Sequence, residues 1–410
     1  MAQEKMKRIL FFSHGMELGG AERALLGLLE HIDYTRFQVD LFLMHHAGEL
    51  LDDVPAQVKL LPELPQYASL AVPIGEVIRK RQMRVAAGRT LGKAMAKCRV
   101  RQLSLPADNG VALEYSHKYT LSAMPPVGDG EYDLAVSFLT PHYFVANRVK
   151  AKKKVAWIHT DYSKVAVDAA SELKMWSAYD AIVSISDEVS RTFVQVFPAL
   201  KNKLFCIGNM LPAASVERQI QALDVSEEMQ EDGSIRLLSV GRFCTAKNFD
   251  NIPDICRRLC EGGLNVKWYL IGYGGDEPLI RRRIEEAGMQ EHVVILGKKS
   301  NPYPYIKACD LYVQPSRYEG KCVTVREAQM LGKPVVITNY ATAPSQLEDG
   351  ADGVVVPMDN AGCTEEIAQL LRDPQRMEHL AQTCRSRDYS NAAEVEKLYK
   401  LMEMNAVEAE

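Results

Sequence analysis

Apolar residues in this chain fall into short, nearly continuous runs, separated by longer stretches in which they recur every three or four positions. Arg8–Ser13, Gln38–Met44, Leu134–Phe138, Lys154–His159 and Ala181–Ser184 form a first series of runs. Arg236–Val240, Val266–Ile271, Val293–Leu296, Leu311–Gln314, Pro334–Thr338 and Gly353–Val356 form a second. Runs so rich in Val, Ile and Leu predict parallel strands buried on both faces. The intervening segments Ala21–His31, Asn248–Glu261, Asp276–Gly288 and Thr324–Leu331 predict helices. Strand and helix in alternation imply parallel sheets with right-handed crossovers, an α/β architecture.

The two series break at the polar, acidic stretch 212–234, which reads as a linker. It separates an N-terminal domain, 1–211, from a C-terminal domain, 235–390. Residues 391–410 are expected to form a final helix with a short acidic extension, packing back towards the N-terminal domain. Two such doubly wound halves are expected to face a central cleft at the C-terminal ends of their strands, where these sheets bind ligands. One segment breaks the pattern. Residues 77–107 hold nine Lys or Arg and no acid. Ile78, Val85, Leu91, Met95 and Cys98 interleave there at helical spacing, which predicts a basic amphipathic helical insert.

With 410 residues the chain can build two cores, and 47% hydrophobic with 25% charged residues is the composition of a soluble globular protein. The net charge of −4 argues against nucleic acid as a partner of the whole chain. Nine cysteines at irregular spacing, with no Cys-x-x-Cys pair, read as buried thiols in a reducing compartment. Cys256 and Cys260 share a helix face but lack a second ligand pair for zinc. The apolar run Ile9–Phe12 is too short for a signal or a membrane span, so a cytoplasmic protein is expected.

Candidate chemistry concentrates after three strands. In the sequence from Ser316 to Val336, a strand ends near Gln314, Glu319 and Gly320 lie in a loop, and a helix starts near Cys322 to Thr324. Free N–H groups and the positive end of the helix dipole favour an anion there, and Gly320 lets backbone approach it. Glu319 and Glu327, on either side, are suited to accept hydrogen bonds from hydroxyls; the alternative is a helix-capping and a surface glutamate. Arg242 and Lys247 bracket the start of the helix after the Arg236–Val240 strand and can reach an anion at that strand's end. Gly19-Gly20-Ala21-Glu22 opens a helix after the first strand without the spacing of a dinucleotide fingerprint. His159 ends an apolar strand, a position open to a structural or a ligand-facing role.

Together these residues resemble glycosyltransferase family 4, retaining enzymes of the GT-B architecture with two Rossmann-like domains. The resemblance is sharpest from Arg236 to Pro357. It rests on Glu319-x7-Glu327 followed by Leu331-Gly332-Lys333-Pro334, on Gly241-Arg242-x4-Lys247, and on Gly19 to Arg23. It implies that Arg242 and Lys247 bind the donor diphosphate, Glu327 the ribose, and Glu319 the transferred sugar. Backbone N–H groups of Gly320, Lys321, Cys322 and Val323 would cradle phosphate, and Gly297–Pro302, with Lys298, would lie against the nucleobase. Gly19 and Gly20 would close on the phosphate, while His159 would face the transferred sugar. Lys321-Cys322 departs from the apolar pair many members carry and resembles a bacterial capsule and exopolysaccharide subset.

The implied function is transfer of a sugar from a nucleotide-diphosphate sugar, UDP favoured over GDP, to a hydroxyl of a saccharide or lipid-linked acceptor. The Asp-x-Asp pattern is missing from the donor region, so no metal cofactor is expected. The basic 77–107 segment reads either as a solvated helical pair or as a contact to an anionic membrane surface, on the inner face of the plasma membrane. Two other functions fit the same architecture: an inert GT-B partner or scaffold, and a sugar-nucleotide epimerase.

Overall fold

The computed structural model describes residues 6–106 and 109–404. Position 107, the end of the basic segment, and the acidic extension at 405–410 lie outside the described residues. The chain divides into two compact units, Met1–Met210 with Ala392–Glu410, and Leu211–Asn391.

The first unit is built on a seven-stranded sheet. Its strands are β1 (Lys7–Ser13), β2 (Phe37–Leu43), β3 (Lys59–Leu60), β4 (Val127–Ser137), β5 (Val149–Ile158), β6 (Ala181–Ser184) and β7 (Leu204–Cys206), in the order β3-β2-β1-β4-β5-β6-β7. The paired strands run parallel, with Ile9 opposite Val39 on one side and Leu134 on the other. Ile9 to Phe12 are all fully buried, the result expected of a central strand covered by helices on both faces. The second unit repeats the plan with β8 (Ile235–Val240), β9 (Val266–Ile271), β10 (Val293–Gly297), β11 (Leu311–Gln314), β12 (Val335–Thr338) and β13 (Val354–Val356), ordered β10-β9-β8-β11-β12-β13. Both are Rossmann-like sheets. In each, strand order reverses once, between β1 and β4 and between β8 and β11. Sheets of this kind take ligands at the C-terminal edge beside such a reversal.

The structure differs from three readings of the sequence. The stretch 212–234, expected as a linker, folds into the second unit. Ala213–Ile220 is a helix, and Val216, Val225 and Met229 are buried against the sheet. Polar composition hid this because so few apolar positions anchor it. The helix expected from Asn248 starts at Ile252. Asn248 takes a left-handed conformation, φ 61°, which Asn tolerates, and closes a tight turn carrying Lys247. Finally, the basic insert forms the helices Ile74–Arg79 and Met83–Gln102. Of the apolar positions singled out there, Val85 is buried, whereas Ile78, Leu91, Met95 and Cys98 are exposed. Gly88 and Gly92 instead press against the helix Val111–Thr120. A Cβ at either would lie 2.7 Å and 2.6 Å from the carbonyls of Tyr119 and Tyr115.

The last helix, Val395–Glu403, belongs to the first unit. The Tyr399 ring stacks on Phe37 at 4.6 Å, and its hydroxyl accepts from the Asp33 N–H at 2.9 Å.

Candidate functional site

In the second unit the exits of three neighbouring strands are tied backbone to backbone. The Gly241 N–H donates to the Ile271 carbonyl and the Gly272 N–H to that of Gly297, both at 2.9 Å. The Phe243 N–H reaches the Tyr273 carbonyl at 2.8 Å. Such contact leaves no room for side chains. A Cβ on Gly272 would overlap the Gly241 carbonyl oxygen, and one on Gly274 would overlap that of Phe243. Gly272 and Gly274, which leave β9, are therefore required by packing.

On this base sits a half-buried ion pair. Lys247 Nζ lies 2.6 Å from Glu319 Oε1, which also accepts from the Ser316 hydroxyl at 2.6 Å. The Cys322 sulfur is 3.8 Å from the ammonium. Burial works against the charge on Lys247, but the Glu319 carboxylate beside it holds its pKa above the ordinary lysine value. Burial pushes the Cys322 thiol up as well, so it stays protonated at neutral pH. The carriers of the pair are held by further bonds. Asn248 donates to the Pro315 carbonyl at 2.8 Å, Arg317 pairs with Asp250 at 2.8 Å, and the Thr342 hydroxyl donates to the Glu319 carbonyl at 2.8 Å.

The helix Val323–Met330 begins beside this pair with Cys322 as its N-cap, with no side-chain cap bond and no acid in its first turn. Its positive end is thus left unneutralised, next to a charged lysine. Gln346 fixes the helix entrance, accepting from the Cys322 N–H at 2.7 Å and donating to its carbonyl at 3.1 Å. Gly320 faces open space: a Cβ there would meet nothing within 4 Å. Glu327 is fully buried and accepts from the Tyr303 hydroxyl at 3.0 Å. Arg242 is exposed and has no ion pair among the described residues. Lys298 is exposed too, its ammonium 5.1 Å from the centre of the Tyr273 ring at the β9 exit.

Lys247, Glu319, Gly320 and Cys322 are therefore brought together at the C-terminal edge of the second sheet, with Lys321 and Val323 flanking Cys322 in sequence. Ser316, Thr342 and Gln346, which hold them in place, carry no signal in the sequence. Gln346 lies 24 residues beyond Cys322 and is linked to it only by the fold.

Gly19, Gly20 and His159 lie in the first unit. Gly19 is the N-cap of the helix Gly20–His31, and a Cβ there would overlap the Glu22 carboxylate folded back over it. His159 follows β5 with its ring 4.7 Å from that of Phe138. Burial lowers its pKa to about 4, so the imidazole is neutral, and its Nε2 is buried without a partner. It lines a cavity of about 160 Å³ together with Glu114, His142, Trp157, Tyr162 and Glu172. Glu114 Oε2 and Trp157 Nε1 are likewise buried and unpartnered. Unsatisfied groups of this kind between aromatic walls suit a ligand rich in hydroxyls.

Burial raises the Glu172 carboxyl from 4.5 to about 7, against hydrogen bonds from Tyr162 and Trp176. The folded chain holds a proton that the unfolded chain has lost. This group's contribution to stability is therefore full below about pH 4.5 and disappears as pH rises to about 7. The chain should lose about 3 kcal/mol across that window relative to Glu172→Gln. Urea unfolding at either end of the window measures this; parallel behaviour of the two proteins would place the Glu172 pKa in the ordinary carboxyl range.

Residues 221–387 match the family model described as glycosyl transferases group 1. The chain is 27% identical over 149 residues to alpha-D-kanosaminyltransferase of Streptomyces kanamyceticus, covering 36% of this chain and 39% of that protein. It is 25% identical over 193 residues to the amylovoran biosynthesis glycosyltransferase AmsD of Erwinia amylovora, covering 47% and 53%. The chain thus spans about half, or less, of the length of these curated relatives. Its fold resembles that of Anabaena HepE, solved in complex with UDP and glucose, with a TM-score of 0.68 at 15% identity over 97% of this chain and 99% of that one. WaaG, a glycosyltransferase involved in lipopolysaccharide biosynthesis, gives a TM-score of 0.61 at 14% identity over 97% and 100%. At these identities the likeness is one of fold, and the fold is GT-B.

Proposed function

We propose, from a group 1 glycosyl transferase domain at residues 221–387, that the chain is a retaining glycosyltransferase. It moves a hexosyl group from a nucleotide-diphosphate sugar to a hydroxyl of a saccharide or lipid-linked saccharide, in cytoplasmic synthesis of a cell-surface polysaccharide. The observation that carries this reading is the charged Lys247 held beside an uncapped helix N-terminus at the C-terminal edge of a parallel sheet. Such a place stabilises a leaving diphosphate. Arg242, exposed at the neighbouring strand exit, adds a second cation, and with two cations and a helix end the transfer needs no metal. Glu327 takes the ribose hydroxyls, and Lys298 with Tyr273 flanks the base. In the first unit, the unpartnered groups around His159 hold sugar hydroxyls.

Retention follows from front-face attack. The acceptor oxygen bonds to the anomeric carbon as the bond from that carbon to the phosphate oxygen breaks, and the acceptor proton passes to that departing oxygen. Glu319 is a poor nucleophile for the alternative double displacement, because its Oε1 is engaged by both Lys247 and Ser316.

UDP is the first nucleotide to test, since the similar HepE structure holds it. At about 100 times its Kd a true donor nucleotide should add about 2.7 kcal/mol of stability. Thermal unfolding with UDP, GDP, ADP and their sugars reads this. Slow nucleotide release from the sugar that binds, insensitive to chelator, is the expected sequel. Interconversion of the sugar without release would make the chain an epimerase, and no response to any nucleotide would make it a scaffold.

A further inference from the structure

The helix Met83–Gln102 plays no part in the donor site, and its polarity is reversed. The face it packs against its neighbours is made of small residues, Val85, Ala86, Gly88, Gly92 and Ala96, while its large apolar side chains point outward. Met83 is 59% exposed, Leu91 50% and Met95 41%. At about 100° per residue, Met83, Ala87, Leu91, Ala94 and Cys98 share one outward arc, and all five are exposed. Arg84 borders this arc on one side, Lys93 and Lys97 on the other, and Arg101 closes it at its C-terminal end.

The cations around the arc are also unspent. Arg99 pairs with Asp168, Arg89 donates to the carbonyls of Ser69 and Val72, and Arg79 and Lys80 lie near Glu76. Arg81, Arg84, Lys93, Lys97 and Arg101 are exposed and have no ion pair among the described residues. An apolar stripe edged by free cations needs a partner that is anionic at its surface and apolar just beneath. A second copy of the chain would set these same cations against one another. A nucleic acid would satisfy the cations and leave Leu91 and Met83 in water. A bilayer with anionic headgroups satisfies both. No helix among the described residues is long and apolar enough to cross a membrane, so the contact is with its surface.

We propose that the outward face of Met83–Gln102 docks the chain on a bilayer bearing anionic lipid, with Met83 and Leu91 among the headgroups and Arg84, Lys93 and Lys97 at the phosphates. The proposal is independent of the donor-site reading, and it gives a lipid-linked acceptor a surface on which to be met.

Sedimentation of the whole chain with vesicles tests it, using phosphatidylcholine alone and an equimolar mixture with phosphatidylglycerol. Binding is expected to the mixture and not to the neutral vesicles, and to weaken with added salt. Replacing Lys93, Lys97 and Arg101 together by Gln should lower partitioning about 100-fold. Met83→Ser with Leu91→Ser should lower it about tenfold. These residues are exposed, and an unchanged thermal shift with UDP would report intact folding and an intact donor site. Equal binding to both vesicle types, none to either, or variants that bind like the parent would overturn the proposal. So would a concentration-dependent dimer dissolved by Leu91→Ser, which would assign the face to a second copy, or tight binding of duplex DNA in place of vesicles. Loss of the UDP response with vesicle binding intact would count against the donor reading alone.

Discussion

Lys247→Ala is expected to lower sugar transfer at least about 100-fold, equivalent to about 2.7 kcal/mol of lost transition-state stabilisation. The half-buried ammonium stands beside the uncapped start of Val323–Met330, where negative charge would develop on a leaving diphosphate. Electrostatic stabilisation is stronger there than at the open surface, because the ammonium is partly withdrawn from water. Glu319→Ala should cost a similar amount for a different reason: it frees Lys247 from its position and removes the acceptor for sugar hydroxyls. Each single change leaves a half-buried charge without its partner, so a loss of folding has to be separated from a loss of chemistry. Pairing Lys247→Met with Glu319→Gln removes both charges. This double variant should fold, judged by circular dichroism and cooperative unfolding, and still fail to transfer. Near-parental transfer by folded Lys247→Ala protein would sink the assignment of Lys247 to the diphosphate.

The second large effect should come from a residue with no functional group. Gly272→Ala is expected to destabilise the second unit by about 3 kcal/mol, the upper range for forcing atoms into a packed site. The new Cβ would overlap the Gly241 carbonyl oxygen and come within 2.9 Å of the Phe243 ring. Neither neighbour can retreat, because both belong to the β8 exit, which is hydrogen-bonded to that of β9. Relief by shifting the β8 exit would also move the turn that bears Lys247, so nucleotide affinity should fall with stability. Urea unfolding together with UDP titration of the folded fraction measures both. A Gly272→Ala protein as stable as the parent would mean that the strand exits are compliant and that the glycine there is incidental.

The two effects differ in how visible their cause is in sequence. Lys247 and Glu319 stand in recognisable spacings, yet the spacing does not say that they touch each other, nor that Ser316 completes the contact. Gly272 stands in a Gly-rich strand exit of a very common kind, and only the approach of the Gly241 carbonyl makes it indispensable. Gln346 is the extreme case. Nothing around it marks it, and it grips both backbone groups of Cys322 because the turn after β12 comes back beside the helix entrance.

Hydrophobic pattern alone determined the α/β class, the two parallel sheets and most strand positions, because a strand buried on both faces must be apolar throughout, whatever its partners. That charged and Gly-rich segments follow the strand ends was also legible, because they stand directly after the apolar runs in the sequence. Tertiary structure decided what local pattern cannot encode. It absorbed 212–234 into the second unit through Val216, Val225 and Met229, turned Asn248 left-handed to deliver Lys247, and gathered the unpartnered groups of Glu114, Trp157 and His159 around one cavity. It also turned the apolar residues of Met83–Gln102 outward. Periodicity predicts that a helix has two faces, but which face is buried depends on how closely another backbone approaches, and here two glycines gave that place to the small side.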